Sequence, residues 1–190
     1  GMPDFNNLLS TLTQCWMAET KVRQKILDEI SRSETMPRTD DGETIVRTKL
    51  NYAGDRDSFL KQWAELSPPR NTRIGRIWDT DSRDGYEWSI GSELYNIYMQ
   101  SISYTQNQET IGNPVQWLEL NWNNEESWSS ALLEHKEDIA KVRNEKAEMW
   151  FALMLSRVPD AADLTLLRSD GTKAGSFQRD DLSTGQKNTA

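Results

Sequence analysis

The chain has 190 residues, with 22 Lys and Arg against 30 Asp and Glu for a net charge of −8, and a mean hydropathy of −0.78. Eight Trp, five Tyr and four Phe supply large buried area per residue and exclude a disordered chain, which lacks such side chains. The acidic balance argues against a nucleic-acid-binding domain, whose affinity for phosphate needs clustered Lys and Arg, and the length suffices for a core without disulfides or metal staples.

Phe5, Leu9, Leu12 and Trp16, then Ile26 and Ile30, are spaced to fall on one face of a helix. This predicts a helix over 4–31, with Asp4 as N-cap and the polar Ser31 and Ser33 at its end. Glu19 and Arg23 interrupt the stripe. The single Cys15 excludes an intrachain disulfide, and its place beside Trp16 predicts a buried, inert thiol. A loop over 32–43 ends in the turn signal Asp41-Gly42. Residues 44–52 then alternate, with Val46, Thr48, Leu50 and Tyr52 on one face and Arg47, Lys49 and Asn51 on the other, which predicts a half-buried strand. Asp55 caps a short helix through Leu66, carrying Phe59, Leu60 and Trp63 at helical spacing, and Ser67-Pro68-Pro69 stops it.

Residues 73–78 and 86–90 predict a hairpin around the polar turn 79–85, with Tyr86, Trp88 and Ile90 pointing one way. Residues 92–105 fit a helix through Leu94, Ile97, Tyr98 and Ile102, but the Ile, Tyr, Ser and Thr of the second half favour a strand. A polar loop over 106–114 leads to a strand over 115–122 with apolar side chains on both faces, as at the centre of a sheet. A second long helix is predicted over 124–157, with the stripe Trp128, Leu132, Ile139, Val142, Met149 and Leu153; Glu125 and Glu126 in its first turn suit the helix dipole. Residues 164–167 and 174–177 form a last hairpin around Ser169-Asp170-Gly171, and 178–190 lack apolar periodicity.

These elements predict an α+β fold, an antiparallel sheet of about five to seven strands packed against long N-terminal and C-terminal helices. Residues 1–177 form a single domain and 178–190 a polar tail. An antiparallel pairing of the two helices, with Ile26 near Ile139 and Trp16 near Met149, would set Glu19 beside Lys146.

No Gly-rich phosphate loop, CxxC or HExxH occurs, so no catalytic residue and no cofactor is expected. One His and one Cys cannot build a zinc site of the usual composition within one chain, and no nucleophile elbow accompanies His135. Asp79, Asp81, Asp84 and Gly85 depart from a calcium loop, because the Gly comes one place late and Arg83 takes a ligand position. The ligand-binding candidates are Trp78, Trp88, Tyr98, Tyr104, Trp117 and Glu119. Flat aromatic faces interleaved with Asn, Gln and Ser suit a sugar, another ring-containing ligand or a protein hot spot, while most of them are expected on the inner face of a sheet covered by the helices, with one or two lining a cleft. Glu119, between Trp117 and Leu120, either has its carboxyl pKa raised by apolar surroundings, or points to solvent or pairs with a Lys or Arg of a neighbouring strand.

The missing motifs, the acidity and the aromatic load predict a non-enzymatic binding or assembly protein of the immunity, chaperone, phage or secretion-component type, using an acidic surface and an aromatic-rich sheet. The alternatives are a small-ligand or carbohydrate binder with a Trp- and Tyr-lined pocket, or a glycan hydrolase using two carboxyls about 5–10 Å apart. The expected partner is another protein or a second copy, with a small molecule as a further possibility, and neither nucleic acid nor membrane. No run reaches the length of a membrane span and no signal layout opens the chain, which gives a cytoplasmic setting by default.

Overall fold

The computed structural model describes residues 2–43, 45–79, 88–104 and 111–178. Helix α1 runs Met2–Ser31, followed by strand β1 (Val46–Asn51), α2 (Arg56–Ala64), α3 (Arg73–Ile77), α4 (Ile90–Tyr104) and α5 (Pro114–Leu120). A 3-10 turn, Glu125–Ser127, precedes α6 (Ser130–Leu133), α7 (Lys136–Glu145) and α8 (Ala147–Met154), and strands β2 (Ala161–Leu167) and β3 (Lys173–Gln178) complete the order. The chain divides into two compact units: Gly1–Gln14 with Arg56–Val158, and Cys15–Asp55 with Pro159–Ala190. Among the described residues no helix is long and apolar enough to cross a membrane.

In the second unit the three strands form an antiparallel sheet in the order β1-β2-β3, with Val46 opposite Leu166 and Asn51 opposite Ala161, and Leu164 opposite Phe177. The turn between β2 and β3 closes at Gly171, whose φ of 85° suits a residue without Cβ. Strand β1 lies at an edge, where unpaired backbone groups invite association with another chain. Gln24 of α1 covers part of that edge. Its Oε1 accepts from Leu50 N at 2.7 Å and its Nε2 donates to Thr48 O at 2.9 Å, as a neighbouring strand would. Nearby, Asp160 accepts from Thr20 Oγ1 at 2.5 Å and from Ala53 N at 3.1 Å, which holds Ala53 in its left-handed conformation, φ 54°.

The core of the first unit is aromatic. Trp63 and Trp78, both fully buried, stack with ring centroids 4.5 Å apart and planes within 6°. Phe59 stacks on Tyr95 at 6.0 Å, and Trp150 meets Trp63 at 5.8 Å. Buried polar groups tie the helices. Asn113 accepts from Gln116 N at 2.9 Å as the N-cap of α5. Its Nδ2 also donates toward the carbonyls of Leu153, Met154 and Ser156, at 3.1, 2.9 and 2.9 Å. Gln116 Nε2 adds a bond to Met154 O at 2.7 Å. One cap therefore closes both the start of α5 and the end of α8, whose last carbonyls have no partner within the helix.

The α+β class stands, but the sheet of five to seven strands does not: the described residues form three strands and eight α-helices. The capping side chains explain most of the difference. Thr72 accepts from Gly75 N at 3.1 Å and starts α3 where the first arm of a hairpin was expected. Ser89 and Ser92 cap each other reciprocally, with Ser92 N to Ser89 Oγ at 3.0 Å and Ser89 N to Ser92 Oγ at 2.8 Å. Helix α4 then continues through the half expected as strand, burying Ile90, Leu94 and Tyr98 at four-residue steps. Asn113 and Pro114 at the first turn make 114–120 a helix, not a central strand. Residues 114–118 are buried in succession while Leu120 is exposed, and periodicity cannot distinguish a short buried helix from a buried strand.

Nor is the C-terminal helix long. Ser129 caps α6 through Leu132 N at 3.2 Å, and His135 (ψ 11°) and Lys146 (ψ 43°) leave helical geometry to separate α6, α7 and α8. Lys146 Nζ donates to Ser67 O at 3.1 Å, while Glu19 pairs with Arg23 on its own helix at 3.5 Å. On α1 the first half of the expected stripe is covered, Leu9 fully and Phe5, Leu12 and Trp16 in part, whereas Ile26 and Ile30 are exposed and Thr13 and Thr20 are buried. Cys15 is exposed rather than buried. The turn at 80–85, Tyr86, Glu87, the side chain of Tyr104, the loop over 105–110 and the tail beyond residue 178 lie outside the described residues.

Candidate functional site

Of the six candidate residues, Glu119 lines a cavity, Trp78, Trp88, Tyr98 and Trp117 are not among the residues lining it, and the side chain of Tyr104 lies outside the described residues. Trp78 and Tyr98 are fully buried, and Trp117 nearly so. Tyr98 donates its hydroxyl to Ile111 O at 3.0 Å. Trp88 is partly exposed, donates Nε1 to Glu93 Oε2 at 3.1 Å, and lies 6.1 Å from the buried His135 ring. His135 Nδ1 is 3.9 Å from Asp138 Oδ2.

The cavity belongs to the first unit and has a volume of about 520 Å³. Its apolar wall consists of Phe5, Ala147, Trp150, Phe151 and Met154, and its polar wall of Glu119, Arg143 and Asn144. Phe5 and Phe151 stack at 5.6 Å. Glu119 projects from α5 and receives three donors: Arg143 Nε at 2.5 Å, Arg143 Nη2 at 2.8 Å and Trp150 Nε1 at 2.7 Å. The paired, two-bond contact with a planar guanidinium is the strongest and most orienting form of this interaction. The same guanidinium lies 4.8 Å above the Trp122 ring, and Trp122 meets Trp128 edge to face at 5.5 Å. Lys136 Nζ, bonded to Glu125 at 2.7 Å, lies 5.5 and 5.3 Å from those two rings.

Chemically, this arrangement holds groups in place. Glu119 is the one carboxylate among the described lining residues, and its oxygens are already engaged by donors. A glycan hydrolase of the common type needs a second carboxyl across the cleft. Among the described residues no group of three or more His, Cys, Asp or Glu is placed to hold a metal ion.

Arg143, Trp150 and Phe151 are the residues that sequence reasoning missed. A signal for them existed: 149–155 reads Met-Trp-Phe-Ala-Leu-Met-Leu, seven apolar residues in succession. A helix packed on one side needs only a stripe, so such a run places apolar side chains on its outer face as well. No protein-family model, no curated protein and no solved structure matches this chain.

Proposed function

We propose that the protein is a non-enzymatic binding or assembly protein, and that the cavity over Glu119 and Arg143 is part of its contact surface. One observation carries this reading. An apolar wall faces a carboxylate already tied to a guanidinium and an indole, a layout that gives shape and orientation without a paired acid and base. Phe151 remains 48% exposed beside it, as an aromatic anchor awaiting a partner would be.

The test is a titration with 1-anilinonaphthalene-8-sulfonate, whose fused ring suits the apolar wall and whose sulfonate suits Arg143. Saturable binding to the folded protein, weakened by Phe151→Ala and by Arg143→Gln, is expected. Binding indifferent to both substitutions would remove the cavity from the contact surface.

A further inference from the structure

We propose that the outer face of α8, with the hollows on its two sides, docks a cationic amphipathic helix of a partner protein. This rests on the binding reading above and names the partner's chemistry.

Helix α8 is apolar almost all round. Trp150, Leu153 and Met154 face the core, while Met149, Phe151 and Leu155 are 41, 48 and 37% exposed. Ala147, Phe151 and Leu155 follow at four-residue steps and form one row along the outer face. The helix also borders two hollows. Trp150, Phe151 and Met154 line the cavity of about 520 Å³, and Met149, Ala152 and Leu153 line another of about 310 Å³ with Gln62 and Glu65. A row of side chains between two hollows is the relief into which a second helix packs. An added strand would need unpaired backbone groups, and those of α8 are engaged within the helix and by the Asn113 cap.

Charge selects the partner. Glu65 lines the smaller hollow, Glu148 projects from α8 itself, and Glu145 sits just before it; all three are exposed and have no basic partner among the described residues. With a net charge of −8, a second copy or an anionic lipid surface meets repulsion, whereas Lys or Arg flanking an apolar stripe meets attraction.

The experiment uses the full chain and a fluorescein-labelled synthetic helix of about five turns, with Leu on one face and Lys on the other. A twin peptide carries Glu in place of Lys, and anisotropy is the readout. The Lys peptide is expected to bind at least about tenfold more tightly than its twin, and the double variant Phe151→Ala, Leu155→Ala to weaken it by about tenfold or more. Reversing charge with Glu65→Lys and Glu148→Lys, at exposed positions, should invert the preference between the twins. Equal binding of both twins overturns the cationic partner but leaves the binding reading standing if Phe151→Ala still weakens them. Neither peptide binding, while the anilinonaphthalene probe still does, overturns docking on α8 alone. Capture by phosphatidylglycerol vesicles in preference to the peptide assigns the face to a membrane and overturns the proposal as well.

Discussion

Trp63 and Trp78 satisfy each other twice over: each indole Nε1 donates to the other residue's backbone carbonyl at 2.9 Å while the rings lie stacked. Each carbonyl also keeps a backbone donor, Leu66 N on Trp63 O and Gly91 N on Trp78 O. Trp78→Phe therefore removes one hydrogen bond and part of a ring without orphaning a carbonyl. A loss of about 2 kcal/mol in urea unfolding is expected, from about 1 kcal/mol for the bond and the rest from lost packing. Wild-type stability in this variant would contradict the pairing.

Gly91 presses on the same pair. A Cβ there would meet Trp63 Cδ1 at 2.5 Å, and the stacked indole has little room to yield. Gly91→Ala, ordinarily favourable in a helix, should instead cost about 1–3 kcal/mol. Near-ultraviolet circular dichroism should show the indole band weaken; an unchanged band at unchanged stability counts against a tight contact.

Asn113 supplies a donor to three carbonyls and an acceptor to Gln116 N. Asn113→Asp keeps the acceptor but turns an anion toward carbonyl oxygens in a buried site. It should destabilise the first unit by more than about 3 kcal/mol, and Asn113→Ser, which still caps α5, by clearly less. Equal unfolding midpoints for the two variants would show that the Nδ2 bonds contribute little.

Gln24 acts in the other unit as a surrogate strand for the edge of β1. Replacement by Leu keeps the bulk but leaves Leu50 N and Thr48 O without that partner. Exchange of the Leu50 amide hydrogen should accelerate about tenfold, and self-association through the uncovered edge should rise. Unaltered Leu50 exchange would mean that the amide contact protects nothing.

The turn between β2 and β3 carries a pH dependence with a defined sign. The hydroxyl of Thr172 donates to Asp170 Oδ1 at 2.6 Å and its backbone N–H at 2.9 Å. These bonds, the hydroxyl first, lower the Asp170 pKa from its ordinary 3.8. Asp41 is lowered too, first by the hydroxyl of Thr39. A depressed carboxyl stabilises the fold fully above its unfolded value and loses that contribution as pH falls through the folded one. The Thr172 amide resonance should thus stay constant at neutral pH and move only below about pH 4. Asp170→Asn removes that step; a transition nearer neutrality would point to another group.

Where one face of an element is buried and the other wet, its type could be read from the chain: β1 announced itself through alternation, and the last hairpin through Asp170-Gly171. The reading failed in the second half of α4, where the helical period was present but the Ile, Tyr, Ser and Thr content favoured a strand, and at α5, where successive burial erased the period. The deciding information lay in caps, Ser89 with Ser92 and Asn113 before Pro114. The long C-terminal stripe concealed breaks at His135 and Lys146, because neither residue is a helix breaker by composition. Glu119 stood out as a carboxylate among apolar neighbours. Its partner, Arg143, lies 24 residues on and meets it only because α7 and α5 come together in the folded unit.

Trp150 joins the aromatic core to the cavity, since its ring meets Trp63 and its indole Nε1 donates to Glu119 at 2.7 Å. The most direct measurement is therefore the indole N–H spectrum of the nitrogen-15-labelled protein, whose eight Trp residues give separate reporters. During titration with the Lys-bearing amphipathic peptide, the Trp150 signal should shift progressively to saturation while those of buried Trp63 and Trp78 stay nearly fixed. A Trp150 signal that holds its position while the peptide binds would place the contact elsewhere and contradict the role assigned to this cavity and to α8.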